Sequence, residues 1–195
     1  MKPIYSFLIK PKKERYDNTK KVGDKELILN TDISDHKFVS REAIVYETPI
    51  ARDTHINRGD VLYVHHNIFR RWHDVRGIER NSKSYFKDNL YFCELEQIFL
   101  YKRDGVWKAN RGFSFVKPLV NEDKFATSKE MSLMGIIKHV DDTGDFKVNE
   151  KIGFTPDSEY EFIIEGERLY RVINNEISIR YGYKEKEREY NPSWL

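Results

Sequence analysis

The sequence has few of the residues that mark secreted or membrane proteins. Its single cysteine, Cys93, excludes an internal disulfide and fits a reducing compartment. No apolar run approaches the roughly 20 residues of a membrane span, and the opening residues Met1-Lys2-Pro3 are not typical of a signal peptide. We therefore expect a soluble, cytoplasmic protein without a membrane partner.

An excess of charge of one sign is also missing, because 34 Lys and Arg residues balance 32 Asp and Glu residues. The net charge of +2 creates no global field that would hold nucleic acid or an anionic membrane. Hydrophobic residues make up only 39% of the 195 positions, and the mean hydropathy is -0.72. A lean core favours two small domains, or apolar surface shared between the subunits of an oligomer.

Aromatic residues, in contrast, are abundant. The 12 Tyr, 12 Phe and 3 Trp residues favour strands over helices. Short alternating segments follow one another with turn residues between them, and no segment has sustained helical periodicity. The sequence predicts an all-β fold built from small barrels.

Several of these segments occur twice in the same order. The longest pair, NLYFCELEQIFLYKR and RLYRVINNEISIRYG, aligns without a gap. A shorter strand, REAIVYE in the first copy and MGIIKHV in the second, lies between the other matches. The matching segments are residues 7–11 with 115–119, 56–64 with 146–154, and 89–103 with 168–182.

These matches predict an internal duplication, with a first barrel at residues 1–104 and a second at residues 112–182. A turn-rich connector, DGVWKANRG, joins them. The charged tail at residues 183–195 is expected to be a solvated face or a frayed end. The first repeat also carries an insertion at about residues 69–89.

The order of the segments resembles the GroES co-chaperonin family, the small lids of chaperonin cages. That family has a Val-Lys-Pro step, a Gly-Ile-Val strand, a Gly-Asp turn and a closing strand pair, in this order. The tandem layout is similar to the double-barrel co-chaperonins of plastids, and a compact copy would also fit a bacteriophage, with the host cytoplasm as its location. The matching residues are Ile9-Lys10-Pro11, Arg58-Gly59-Asp60-Val61 and Leu90 to Tyr101, then Val116-Lys117-Pro118, Gly135-Ile136-Ile137, Val148-Asn149-Glu150 and Leu169 to Tyr181.

The resemblance implies a mobile loop at about residues 14–35, a largely polar stretch that cannot bury enough surface to order itself. Leu27, Ile28 and Leu29 form an apolar triplet within it, although no Gly-Gly precedes them. By resemblance, this triplet binds an apolar groove on the apical domains of a GroEL-like chaperonin. A strand of the barrel is the alternative interpretation of the triplet.

The corresponding loop of the second repeat, at residues 121–134, is shorter and has no clean triplet. Its candidate contacts are Met131, Leu133 and Met134, for which core packing is an equally good explanation. The first barrel is therefore the one expected to carry a working loop.

The function that the resemblance implies is a non-catalytic lid that assists protein folding as a homo-oligomer. It needs no cofactor of its own, because nucleotide would belong to the chaperonin. The alternative is a viral structural or assembly protein that uses the same barrel as an oligomeric component. An enzyme is not expected, since the sequence has no catalytic signature and no phosphate-binding glycine loop.

Four histidines, His55, His65, His66 and His73, fall in one short window and raise the question of a metal site. Adjacent histidines on a strand point to opposite faces, so His65 and His66 are not expected to bind one ion. The fixed spacing and cysteine pair of a zinc site are also missing, and no metal is predicted.

Basic and aromatic residues alternate within residues 69–87, as they do in proteins that bind single-stranded nucleic acid. Asp74 and Glu79 dilute this charge, so a contact between subunits or barrels is preferred to nucleic acid. Cys93 has no activating histidine in its segment and is predicted to be a small core residue rather than a nucleophile.

Overall fold

The computed structural model describes residues 1–17, 19–23, 25–28, 35–123, 125–183 and 187–194. Over these residues the chain is all-β, as predicted, with antiparallel sheets and no helix longer than a three-residue 3-10 turn. In this described part of the chain, therefore, no helix is long and apolar enough to cross a membrane.

The chain divides into two compact units, Met1–Val106 and Trp107–Leu195. The strands of the first half are β1 (Phe7–Pro11), β2 (Thr19–Val22), β3 (Lys25–Ile28), β4 (Glu42–Glu47), β5 (Val61–Val64), β6 (Arg71–His73), β7 (Glu79–Asn81), β8 (Tyr85–Lys87), β9 (Leu90–Cys93), β10 (Ile98–Arg103) and β11 (Val106–Ala109). Those of the second half are β12 (Phe113–Val120), β13 (Glu130–His139), β14 (Glu150–Phe154), β15 (Tyr160–Ile164), β16 (Glu167–Ile173) and β17 (Ile177–Tyr183). The 3-10 turns are His36–Phe38, His66–Ile68, Leu95–Gln97 and Asn174–Glu176.

Both main sheets have the same strand order. The first is β11-β10-β5-β4-β1-β9-β8, and the second, read from its other end, is β17-β14-β13-β12-β16-β15. Apart from β11, each strand of the first sheet therefore has one counterpart in the second. Among the described residues, no pairing joins the end strands of either sheet, so both sheets are open.

The register of the strands is repeated as well. Ile9 lies opposite Val45 on one side and Tyr91 on the other, and its counterpart Val116 has equivalent neighbours. The pairing also shifts at the same step, just before Ile9 and just before Val116. The matching pairs are Ile9–Val45 with Val116–Ile137, Ile9–Tyr91 with Val116–Tyr170, and Ala43–Leu62 with Gly135–Ile152.

The cores follow from this register, because inward-facing positions repeat along each strand. Among the described residues, five form one buried cluster of the second unit, and the residue at each equivalent position of the first unit is also buried in a cluster there. Cys93 occupies the position of Val172, as expected for a small core residue. The equivalent pairs are Ile9 and Val116, Val45 and Ile137, Leu62 and Ile152, Val64 and Phe154, and Cys93 and Val172.

The turn before β5 and its counterpart before β14 have a common physical cause. Gly59 and Asn149 both have positive φ, at 90° and 70°, and these residue types enter that region at the lowest cost. The acidic residue that follows, Asp60 or Glu150, accepts a hydrogen bond from the backbone N–H three residues earlier, at 2.8 and 2.9 Å. Gly-Asp and Asn-Glu are therefore equivalent turns.

The connector between the repeats was predicted to be rich in turns. In the structure it also contains the strand β11. Asp104 and Gly105 both have positive φ, which matches the twist of a two-residue hairpin turn. The Asp-Gly pair after an alternating strand is the sequence signal for this hairpin. Val106–Ala109 forms its second strand, which ends the first sheet.

The insertion in the first repeat is narrower than the predicted residues 69–89. Its last part, β8 with the turn Asp88-Asn89, corresponds to β15 with the turn Glu165-Gly166, and all four turn residues have positive φ. The additional structure is a two-stranded hairpin of β6 and β7. We call residues 71–81 the ribbon.

Residues 187–191 of the tail are attached to the second sheet, whereas a solvated face or a frayed end was expected. Arg188 and Tyr190 form backbone hydrogen bonds of 2.8 Å with Val120 and Pro118. Glu187 and Glu189 add ion pairs, with Lys151 at 2.7 Å and with Lys138 at 2.5 Å. Alternating acidic residues therefore attach the tail to basic side chains of the second sheet. We call residues 187–191 the tail strap.

Candidate functional site

The predicted mobile loop is partly a β-hairpin. β2 and β3 pair with each other, with Lys20 opposite Leu27, and no other strand in the described residues pairs with them. The Leu27 side chain is 50% exposed. Ile28 ends β3, and Leu29 lies outside the described residues. The hairpin therefore presents at least one apolar side chain to solvent.

The base of this loop is fixed by backbone pairing. Tyr16 and Val39, both buried, form an isolated antiparallel bridge across the two ends of the loop. On either side of it, Asp17 N–H donates to the Phe38 carbonyl at 2.8 Å, and Ser40 N–H donates to the Arg15 carbonyl at 2.9 Å. The two ends of the loop are therefore held side by side by backbone hydrogen bonds.

The insertion supports that base. The Arg15 guanidinium donates to the Phe69 carbonyl at 2.9 and 3.2 Å and to Asn81 Oδ1 at 2.8 Å. The Arg71 N–H donates to the Tyr16 hydroxyl at 2.7 Å. Burial lowers the pKa of Arg15, and Tyr91, 5.2 Å below its guanidinium, partly offsets this effect. The ribbon and the residues that precede it therefore contact the base of the loop and stabilise it.

The second candidate contacts lie in a strand instead of a loop. Met131, Leu133 and Met134 belong to β13 and are all partly buried. Leu133 packs against the core cluster of the second unit, and Met134 lies opposite Gly153. The packing of Leu133 agrees with the alternative interpretation, core packing.

The exposed apolar residue of the second loop is Phe125, which the sequence analysis did not single out. Its side chain is 97% exposed. The Asp123 carboxylate accepts from Phe125 N–H at 2.9 Å, and the Asp123 carbonyl accepts from Ala126 N–H at 3.2 Å. A lone Phe in the polar stretch 121–128 is the signal in the sequence, whereas the resemblance implies an apolar triplet.

A polar cluster closes the base of the second loop. The Tyr170 hydroxyl donates to Glu130 Oε1 at 2.7 Å, and Arg168 pairs with Glu130 at 2.5 Å and with Glu161 at 2.6 Å. Burial, then the hydrogen bond to Glu130, raise the pKa of Tyr170. Glu130 starts β13 and Tyr170 lies in β16, so the cluster ties together the two strands that lie on either side of β12 in the sheet.

Lys117 is fully buried, whereas its counterpart Lys10 is exposed. The Lys117 Nζ donates to Asn191 Oδ1, at the end of the tail strap. Burial lowers the pKa of this ammonium, and the nearby Glu167 carboxylate opposes the shift. The prolines of both Lys-Pro steps are buried, but the lysine is buried in the second unit only.

The histidines do not form the arrangement that the sequence predicted. His65 follows the end of β5, and His66 begins a 3-10 turn, so the alternation of a strand does not apply. Their rings stack, with centroids 4.4 Å apart. His36 lies 5.1 Å from His66. Burial, followed by the charges of His65 and Arg41, lowers the pKa of His66 to about 4. Over the described residues, no group of three or more His, Cys, Asp or Glu could hold a metal ion.

Two candidate sites were set aside in the sequence, the basic and aromatic segment at residues 69–87 and the thiol of Cys93. Arg71 pairs with Glu79 at 2.9 Å, and Arg80 pairs with Asp74 at 3.0 Å, so acidic residues offset part of the basic charge of the ribbon. Cys93 is completely buried, and this burial raises the pKa of its thiol well above the usual value. A neutral, enclosed thiol is a poor nucleophile.

No protein-family model and no curated protein matches the chain.

Proposed function

We propose that the protein is a co-chaperonin-like lid, which binds a GroEL-like chaperonin through the hairpin β2–β3 and assists protein folding without catalysis or a cofactor. The observation that carries the proposal is the hairpin itself. It leaves an ordered base between β1 and β4, pairs with no other strand in the described residues, and exposes Leu27. A loop of this kind can enter a groove of a larger partner.

The proposed fold is a tandem pair of GroES-like barrels. The repeated strand order, the repeated register and the equivalent core positions support a duplicated unit. The barrel assignment rests on these repeats and on the resemblance of the motifs, since the described sheets are open.

The energetics suit a reversible contact. Burying an aliphatic side chain contributes about 1.5–3 kcal/mol, whereas ordering a loop residue costs about 1–2 kcal/mol. The pairing of β2 with β3 lowers the ordering cost, because part of the loop is already in a hairpin. A single loop would still bind weakly, and several loops on one oligomer would bind strongly through effective concentration.

Homo-oligomerisation is part of the proposal. β17 ends the second sheet, and in the described part of the chain no strand pairs with its outer edge. Ile179 and Tyr181, on this strand, are 50% and 44% exposed. An edge strand with exposed apolar residues is typical of pairing with another chain.

The same edge supports the second candidate, a viral structural or assembly component without a chaperonin partner. That function needs the edge of β17 but not the hairpin β2–β3. Substitutions in the hairpin therefore separate the two functions, since only the lid requires it.

The experiment is to mix the full chain with a purified GroEL-type chaperonin and adenine nucleotide, and to isolate the complex by size. Replacing Leu27, Ile28 and Leu29 with Ser should abolish the complex and leave the oligomer intact. Val75→Ser is the matched control, because Val75 is a fully exposed apolar residue on the ribbon. A complex that survives the triple change would contradict the proposal.

A further inference from the structure

Three imidazole rings of the first unit lie together, although they come from two distant segments of the chain. The rings of His65 and His66 stack with centroids 4.4 Å apart, and the ring of His36 lies 5.1 Å from that of His66. His36 begins the 3-10 turn that ends the first loop, whereas His65 and His66 follow β5. The fold therefore gathers three titratable side chains at one place.

Two arginines adjoin these rings. The Arg41 carbonyl accepts from Val64 N–H at 2.8 Å, which places Arg41 beside the segment that carries His65. Arg70 follows two residues after the 3-10 turn that begins at His66. Burial lowers the pKa of His66 most, and the charges of the two other histidines and of both arginines lower it further. We call the five residues His36, Arg41, His65, His66 and Arg70 the basic cluster.

The charge of Arg70 is not neutralised by the protein. Its Nε is shielded from solvent and has no hydrogen-bond partner among the described residues. No carboxylate in the described part of the chain forms an ion pair with this side chain either. Arg71 and Arg80, in the ribbon, differ from it because each has an acidic partner. Arg70 therefore keeps its charge available for an anion.

The acidic residues adjacent to the basic cluster in sequence have other partners. The Asp35 carboxylate accepts from Lys37 N–H at 3.0 Å. The Glu42 carboxylate pairs with Lys12 at 2.6 Å and accepts from the Tyr63 hydroxyl at 3.0 Å. Both carboxylates thus contact groups outside the basic cluster.

The repeated fold does not require the basic cluster. The second unit has the same strand order and equivalent core positions. At three of the five positions, however, its residues are uncharged, so the histidines and Arg41 are specific to the first unit. Counted from the equivalent core and strand positions, the counterparts are Thr155 for His65, Pro156 for His66 and Leu133 for Arg41.

We propose that the basic cluster is an anion-binding site that holds the phosphate group of a small ligand. Guanidinium groups match phosphate oxygens with charge-assisted hydrogen bonds. Asn67 N–H donates to His65 Nδ1 at 3.1 Å, so Nε2 carries the proton of the neutral ring and is a donor. Because His66, Arg41 and Arg70 are half-buried, their interactions with an anion are screened less than at an open surface. This site is independent of the proposed lid function.

The test is calorimetric titration of the full chain with inorganic pyrophosphate and with ADP, at constant ionic strength. Arg70→Gln should weaken binding about tenfold or more, because it removes a charged donor to the anion. Arg70→Lys, which keeps the charge, should weaken it less. Arg111→Gln is the matched control, since it makes the same change of charge at an exposed position of the second unit and should have no effect. Tighter binding of ADP would identify a nucleotide as the source of the phosphate, and equal binding a free phosphate anion.

Nuclear magnetic resonance of the histidine side chains locates the ligand without a substitution. Pyrophosphate should shift the ring signals of the three clustered histidines and raise the pKa of His66 from about 4, because a bound anion favours the imidazolium. The rings of His55 and His139 should not respond. The proposal is overturned if the unchanged protein binds neither ligand, if Arg111→Gln loses as much affinity as Arg70→Gln, or if the shifts occur only at other histidines. Thermal unfolding checks that each variant is folded.

Discussion

In the first unit, the loop between β1 and β4 is long and contains its own hairpin, whereas the loop between β12 and β13 is short. A backbone hydrogen bond from Asn121 N–H to the Lys129 carbonyl and the polar cluster around Glu130 close its base. Each base is also supported by an element that the other unit lacks. The ribbon reaches Arg15 and Tyr16 in the first unit, and the tail strap reaches Pro118 and Val120 in the second. Two units with the same strand order and equivalent core positions can therefore differ in how they hold their loops.

The largest expected effect comes from exchanging the residues at one equivalent position of the two units. Gly135 and Ala43 are equivalent, but a Cβ at Gly135 would lie 2.4 Å from Val116 Cγ1 and 2.5 Å from the Lys117 carbonyl oxygen. Because one obstacle is backbone and the other is a buried branched side chain, we expect Gly135→Ala to lower the free energy of unfolding by about 3 kcal/mol.

The reciprocal change, Ala43→Gly, should lower the free energy of unfolding by only about 1 kcal/mol. This substitution adds backbone freedom in the unfolded chain and removes one buried methyl group. Denaturant unfolding of both variants measures the difference. Similar values for the two substitutions would show that the close approach of the strands is not specific to the second unit.

The contacts of the ribbon with the base of the first loop predict a smaller change in the free energy of unfolding than Gly135→Ala does. Arg15→Ala removes the hydrogen bonds to Phe69 and Asn81, and we expect it to lower the free energy of unfolding by about 2 kcal/mol. Cleavage within residues 14–35 by a protease should become faster, because the base of the loop loosens. Arg80→Ala, in an ion pair within the ribbon, is the control and should change cleavage little.

If Arg15→Ala leaves the cleavage rate unchanged, then the bridge between Tyr16 and Val39 is sufficient to hold the loop, and the ribbon has another role.

The contact of the tail strap with Lys117 predicts a similar loss of stability in the second unit. Asn191→Leu leaves the buried ammonium of Lys117 without its Asn191 acceptor, and we expect a loss of about 1–2 kcal/mol in the free energy of unfolding. Adding Lys117→Met should restore part of this loss, because the buried charge is then absent. The double-mutant cycle measures the coupling. Additive effects would contradict a direct contact between the two side chains.

The smallest effect is a dependence of stability on pH in the first unit. His66 has a pKa of about 4 in the folded state, below its usual 6.5. The unfolded chain therefore takes up the proton first, and stability falls as the pH is lowered from about 6.5 towards 4. His36, His65, Arg41 and Arg70 are the charged or titratable groups that lower this pKa along with burial.

Thermal unfolding at pH 7.5 and pH 5 tests this expectation. His66→Asn should flatten the pH dependence, whereas His55→Asn, at an exposed position, should leave it unchanged. An unchanged profile for His66→Asn would show that the pH dependence arises from other groups, among them His139, whose pKa burial also lowers.

Much of the fold could be predicted because the repeat constrains it twice. The matching segments Leu90 to Cys93 and Leu169 to Val172 are strands in both copies, and the Gly-Asp and Asn-Glu turns follow from local backbone chemistry. The strand order could not be predicted from these patterns, since it depends on which apolar faces meet. The hairpin turn at Asp104-Gly105 was overlooked although its signal is strong.

The details of the loops were harder to predict for a physical reason. The order of the tail strap depends on ion pairs with Lys138 and Lys151, which lie far from it in sequence. The stacking of His65 on His66 depends on where β5 stops, and element boundaries are the least certain part of a pattern. Phe125 is visible in the sequence, but its exposure comes from the turn around Asp123.

The most direct test of the proposed contact is amide hydrogen exchange of residues 19–28 in the free protein and in a mixture with a GroEL-type chaperonin and adenine nucleotide. The account predicts that exchange in β2 and β3 slows in the mixture, while β5 and β14 in the cores of the two units change little. Exchange in the hairpin that stays equally fast in both samples would contradict it.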